Sequence, residues 1–401
     1  FRLSGYSVEE TDKGTAAYDV VADPDKNGVI TSGTMVSART VTIVGTGTLY
    51  VSIDNTISGL DKDSYAKAGS NDVAVASLKL KASNEDVKVT KVKVTAAGIT
   101  GLNSIVNKLA LYDGSTLVAE TSNISDVTEF TNTNFVVPQS EKIYTLKASL
   151  NKIGKDMPGV LNEDLAFKFL SLEAEGNSSG DTLAADTTNG VIAGEIAYDA
   201  DANNTFGEAT DTSTADSKKV GVVASKISAV SLEQSYNGIA VNSNISSGVA
   251  ANAAIIKVTV DSSDNTLANG NAIKTLINKV KVNVENNVTS YTASIEKIGG
   301  TQAAISGTVS GDYAQFVVSG TDYELAPSSS AYYLVKVVPI FTGVYAGDSS
   351  IKVNLDKLDG TDDTNSADGG NIIWKDSSDN TTAKNDLRLS TNNVTGILIT
   401  N

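Results

Sequence analysis

The chain has 401 residues, 47 acidic against 31 basic, a formal net charge of −16, and neither cysteine nor histidine. That excludes a Ser-His-Asp triad, a Cys-His pair, imidazole or thiolate metal sites and any disulfide. With Arg2, Arg39 and Arg388 as the only arginines, it also argues against nucleic acid and anionic membrane as partners.

No apolar run approaches the ~20 residues of a membrane-spanning helix, so no membrane insertion is expected, and the start shows no signal-peptide pattern. Hydrophobic residues make up 40% and charged residues 19%, enough to build a core. The apolar set is mainly Val, Ala, Ile and Leu among many Ser, Thr, Asn, Asp and Gly, which points to an all-β fold.

Along the chain, Phe1-Arg2-Leu3-Ser4 reads as a strand, followed by an acidic stretch and an aromatic strand start at Tyr18. Asp23, Asp25 and Asn27 place oxygen ligands at alternate positions. Gly28 follows at the sixth position, and the Val29 carbonyl at the seventh. That spacing resembles the opening of an EF-hand calcium loop. Position 12 is Thr34 rather than a bidentate Glu, and no amphipathic helix flanks it, so a calcium loop between strands is expected. The competing reading is an Asx-rich turn whose side chains cap their own backbone. Thr40 to Ile53 then reads as strand.

From residue 61 the strands are clearer. Val73, Val75, Leu78 and Leu80 oppose Lys79 and Lys81. Val87 and Val89 are followed by Val92 and Val94, a period-2 pattern that slips by one and predicts a bulge or a strand changing sheets. Leu109, Leu111, Asp113-Gly114 and Leu117 predict a hairpin with a type I′ turn. After Tyr198, Asp199, Asp201 and Asn203 repeat the ligand alternation without the glycine, a second candidate calcium loop. Ala272 to Asn278 suggests a short helical turn. Val280, Val282 and Val284 resume the alternation, and Gly299-Gly300 marks a second hairpin. Asp359, Asp362, Asp363 and Asn365 form a third acidic loop, read as a solvated one. Trp374 follows Ile372-Ile373 and reads as a core residue rather than a ligand platform.

Several of these segments recur at about 180–190 residues. Ala17-Tyr18-Asp19 returns as Ala197-Tyr198-Asp199, Lys91 to Val94 as Lys279 to Val282, Phe135-Val136-Val137 as Phe316-Val317-Val318, and Ile143 to Lys147 as Tyr332 to Lys336. Phe167 to Leu170 and Ile351 to Asn354 match the start. Apolar strands near Thr48 to Val51, Ile227 to Leu232 and Thr395 to Thr400 read as the closing strands. The expected organisation is two complete β-sandwich units, 61–230 and 231–401, preceded by 1–60 as the C-terminal half of another. That half-unit is expected to be completed by a preceding part of the same polypeptide or by a strand from another copy.

No nucleophile elbow appears, and carboxylate pairs alone do not specify a glycosidase. No catalytic residues are assigned. Seven Asn-x-Ser/Thr sequons match the number expected by chance in so Asn-, Ser- and Thr-rich a chain, so bound or attached glycan has no support from the count.

The run from Val73 to Val94, the segment Asn107 to Thr116 and the strand Ile143 to Leu150 resemble repeat units of large bacterial cell-surface and S-layer-like proteins, of a type frequent in candidate phyla radiation bacteria. The resemblance implies tandem antiparallel Ig-like β-sandwiches outside the cell, with no catalytic residues. The function expected is an extracellular structural protein that assembles with itself, through strand or domain contacts, into a surface layer or filament, with calcium as candidate cofactor. The alternative is an adhesin or carbohydrate-binding module of a larger secreted protein.

Overall fold

Alternating valine and lysine build two layered β units in succession. The structure is a computed structural model and describes residues 47–159, 164–183, 196–208, 211–342, 348–356, 358, 371–378, 383–384, 387–389 and 394–401. The Phe1 strand, the Val41 to Val44 strand, the loop with Asp23, Asp25, Asn27 and Val29, and the Asp359 to Asn365 loop lie outside the described residues.

The first unit contains β1 (Thr48–Ile53), β2 (Ser64–Lys67), β3 (Val73–Ser83), β4 (Val87–Ala96), β5 (Val106–Asp113), β6 (Thr116–Thr121), β7 (Val127–Val137), β8 (Lys142–Leu150), β9 (Asp164–Leu165), β10 (Phe167–Gly176), β11 (Thr182–Leu183), β12 (Ile196–Tyr198) and β13 (Val220–Val223). The second contains β14 (Ile227–Glu233), β15 (Ser235–Tyr236), β16 (Ile239–Ala240), β17 (Ala251–Val260), β18 (Thr275–Asn287), β19 (Ser290–Lys297), β20 (Ile305–Ser306), β21 (Thr308–Ser310), β22 (Tyr313–Val317), β23 (Glu324–Leu325), β24 (Ser330–Ile340), β25 (Ser350–Asn354), β26 (Ile372–Asp376) and β27 (Leu398–Thr400). Helical geometry among the described residues is confined to single 3-10 turns at Leu102–Ser104 and Thr321–Tyr323.

The larger sheet of the first unit runs β12-β1-β3-β8-β5-β6, and that of the second runs β14-β17-β24-β19-β20. Strands β1, β3, β8, β5 and β6 thus have counterparts in β14, β17, β24, β19 and β20. The facing layers correspond through β10-β4-β7 and β25-β18-β22. Lys91 to Val94 and Lys279 to Val282 fall on matching strands, as do Phe167 to Leu170 and Ile351 to Asn354. One sequence match is out of register. Phe130 lies opposite Val92 as Phe316 lies opposite Val280, both phenylalanines buried, whereas Phe135 faces Val89 and is only partly buried. The three apolar closing strands also differ in role: β1 and β14 open their own sheets beside β3 and β17, while β27 pairs with β25. Position 230/231 falls inside β14.

The slip in β4 is a bulge. Val89 faces Phe135 and Lys91 faces Thr131, which leaves Thr90 unmatched against Asn132, Thr133 and Asn134. Asn132 and Asn134 take left-handed backbone angles, and Thr133 Oγ1 donates to the Val89 carbonyl at 2.8 Å. The extra residue keeps Val87, Val89, Val92 and Val94 all facing the core. Two other details differ from expectation. Asp113 pairs with Thr116, so Gly114-Ser115 forms the hairpin turn; only Gly114 has positive φ, the sign pattern of type II′ rather than I′. Thr275 to Asn278 lies in β18, because pairing with β23 and β26 outweighs a weak local helical tendency.

The β3–β4 turn carries Glu85, which is almost wholly buried. Its carboxylate accepts the Ser178 and Ser179 amides at 2.9 and 3.0 Å and the Ser179 hydroxyl at 2.6 Å, and so ties this turn to the loop after β10. Burial works to raise its pKa, but the Ser179, Ser178 and Gly47 hydrogen bonds together hold it below the ordinary 4.5. A depressed carboxylate stabilises the fold above its unfolded pKa, and this contribution disappears as pH falls through the folded value. Glu85→Ala should cost about 1–3 kcal/mol at neutral pH, with the gap from wild type closing below about pH 4. Urea denaturation at pH 7 and pH 3 checks both statements.

Candidate functional site: an acidic loop and an inter-unit joint

The described half of the predicted metal set lies directly after β12. Pairing of β12 with β1 fixes the start of this loop, and the Asp199 amide continues the ladder to the Val51 carbonyl at 3.0 Å. Asp199 is buried. Its carboxylate accepts the Asn203 amide at 3.2 Å and the Asn204 amide at 3.1 Å. Asp201 accepts the Asn203 amide at 3.2 Å and its side-chain NH2 at 2.9 Å, and Asn203 Oδ1 accepts the Thr205 amide at 2.6 Å. Asp211 closes the loop by accepting from Ala200 and Glu208.

Asp199, Asp201 and Asn203 are therefore brought together, with their oxygens turned to loop amides in chained Asx turns. Among the described residues no group of three or more acidic side chains is arranged to hold a metal ion. Asp199→Ala is expected to lower stability by about 1–3 kcal/mol. The loss should be equal in chelator and in calcium if loop amides alone use these oxygens; a loss seen only with calcium would make them ion ligands.

The junction of the two units is built from residues that sequence reasoning did not single out. β13 leaves the first unit paired with β2 in parallel and with β9 antiparallel. Gly221 in β13 passes so close to Tyr65 that a Cβ there would sit 2.6 Å from the ring. Tyr65, on β2 of the first unit, joins the apolar cluster of the second. It meets Trp374 edge-on, with ring centroids 5.5 Å apart and planes at 82°. The Arg388 guanidinium lies 4.5 Å from the Tyr65 centroid and pairs with Asp164 at 3.0 Å. A planar, permanently charged group suits a position between a ring face and a carboxylate.

A second set of bonds centres on Asn265, in the loop after β17 and fully buried. Its side-chain NH2 donates to the Ala68 carbonyl at 2.9 Å and to the Ala224 carbonyl at 3.0 Å, and its Oδ1 accepts the Ile153 amide at 2.9 Å. Around it, Lys226 Nζ reaches the Tyr65 carbonyl at 3.0 Å, Lys67 Nζ reaches the Ser262 carbonyl, and Lys152 pairs with Asp264. The Lys152 hydrogen bond lowers the Asp264 pKa. Asp376 accepts the Ala224 amide at 3.1 Å. Arg388 was visible in the sequence only as one of three arginines, and Asn265 as one asparagine among many.

No protein-family model matches the sequence, and no curated protein matches it. Among solved structures, the chain is similar to one titled BspA_C_WT at 10% identity and a TM-score of 0.19, over 87% of this chain and 99% of that one. It is similar to the N-terminal domain of the Streptococcus gordonii adhesin Sgo0707 at 9% identity and a TM-score of 0.18, over 70% of this chain and 56% of that one. For the Corynebacterium diphtheriae major pilin SpaA the identity is 9% and the TM-score 0.19, over 77% of this chain and 62% of that one. At these TM-scores the likenesses carry no argument about function.

Proposed function

We propose that the chain is a non-catalytic, extracellular structural segment in which rigid β-sandwich units follow one another and assemble into a surface layer or filament. The observation that supports this most is the joint. Two units of the same strand order are locked by a buried amide, a buried aromatic pair and an arginine clamp rather than connected by a solvated linker, so their spacing is held and force passes through hydrogen bonds and packed rings. Composition agrees, since a chain without cysteine or histidine has no thiol to oxidise or cross-link and no imidazole to titrate near neutral pH. Calcium belongs to the proposal chiefly through the Asp23, Asp25, Asn27 and Val29 spacing. A second reading, an adhesin or carbohydrate-binding module, is favoured by a groove on the outer face of the first unit.

Electron microscopy of the purified chain over a range of concentrations, with calcium and with chelator, tests the structural reading. Ordered sheets or filaments are expected; monomers under every condition would overturn it.

A further inference from the structure

The larger sheet of the first unit turns a set of unlike side chains to one place on its outer face. The β1–β3 register sets Tyr50 opposite Lys81 and Ser52 opposite Lys79. These residues form the floor of an open groove of about 370 Å³, at the lower end of the ~300–1,000 Å³ typical of small-molecule sites. Phe206, carried by the loop after β12, forms a wall. Its ring meets Tyr50 edge-on, with centroids 5.3 Å apart and planes at 73°, so the two rings make an apolar corner. Glu141, just before β8, lines the other side.

Two features point to a ligand. Ser52 lines the groove while only 2% exposed, and its buried hydroxyl has no hydrogen-bond partner among the described residues, an arrangement proteins seldom leave unexplained. The local charge also opposes that of the chain. Among the described residues lining the groove, Lys79 and Lys81 face one carboxylate, Glu141, 4.0 Å from Lys79. A spot of net positive charge on a chain of −16 concentrates anions locally.

We propose that this groove binds a saccharide ring bearing a carboxylate, of the uronic-acid type. The apolar C–H face of the ring lies in the Tyr50–Phe206 corner, the carboxylate faces Lys81, and ring hydroxyls donate to Glu141, with Ser52 within reach once its hydroxyl turns into the groove. A simple inorganic anion has no use for the aromatic corner, and a neutral sugar has none for the lysines. The proposal deepens the adhesin reading and does not depend on assembly, because one copy of the chain holds the whole groove.

Calorimetric titration of the full chain with a trigalacturonate, with neutral galactotriose and with a short polyglutamate separates the outcomes. Binding of the trigalacturonate is expected, at least about tenfold tighter than either comparison ligand. Phe206→Ala and Lys81→Gln are each expected to weaken it about tenfold or more; the exposed Lys81 leaves the melting temperature unchanged, so Lys81→Gln separates lost binding from any stability lost with the half-buried Phe206 ring. No binding of the trigalacturonate, equal binding of the neutral sugar, equal binding of polyglutamate, or indifference to both substitutions would each overturn the assignment. Failure here leaves the structural reading untouched, since that is judged by assembly.

Discussion

Trp374→Ala is expected to be among the most damaging single substitutions in the chain, at about 3–5 kcal/mol. The indole is fully buried in the second unit's core. It sits on β26 opposite Ile277 of β18, so its removal opens a cavity between that strand pair and the joint. Tyr65 would lose the ring it packs against, and Arg388 and Asp164 would then be held by a tyrosine with nothing behind it. The damage should therefore appear twice. Urea denaturation followed by circular dichroism should show the second unit unfolding at lower denaturant, and small-angle scattering below that midpoint should show a wider spread of inter-unit angles. Trp374→Phe, which keeps a ring against Tyr65, should recover a large part of both losses. An alanine variant with an unshifted transition would show that Trp374 does not hold the joint.

Asn265→Ala is expected to cost about 3 kcal/mol through a different mechanism. It removes little apolar surface, but it strands the buried Ala68 carbonyl and the Ile153 amide, and leaves the Ala224 carbonyl with the Ser263 hydroxyl alone. Asn265→Asp should be at least as harmful, because a carboxylate would face two carbonyl oxygens and keep only the Ile153 bond. Since Trp374 is the chain's only tryptophan, its emission reports on the neighbouring ring contact directly. A red shift in the Asn265 variants, at denaturant concentrations where both units remain folded, would place the loss at the joint. Unchanged emission together with unchanged stability would remove Asn265 from the account.

Local alternation determined much of this protein. Val87, Val89, Val92 and Val94 announce a strand with one bulge because a period of two can keep four valines on the core only if one residue is skipped. The recurrence of Lys91 to Val94 as Lys279 to Val282 announces two units of one design, because the same pattern of in and out selects the same sheet position. The acidic spacing at Asp199, Asp201 and Asn203 marks an oxygen-rich loop and a candidate calcium site, while the Asx turns that hold it became visible only in the structure. Other features were decided only when distant segments met. Phe130 rather than Phe135 matches Phe316, because register is set by cross-strand pairing and not by likeness along the chain. Thr275 to Asn278 became strand because two neighbouring strands offered hydrogen bonds that a lone helical turn could not. The joint was the least legible part: Tyr65, Asn265, Trp374 and Arg388 come from four places in the chain. The worth of a buried amide or a stacked guanidinium lies in its partners, which local sequence does not name.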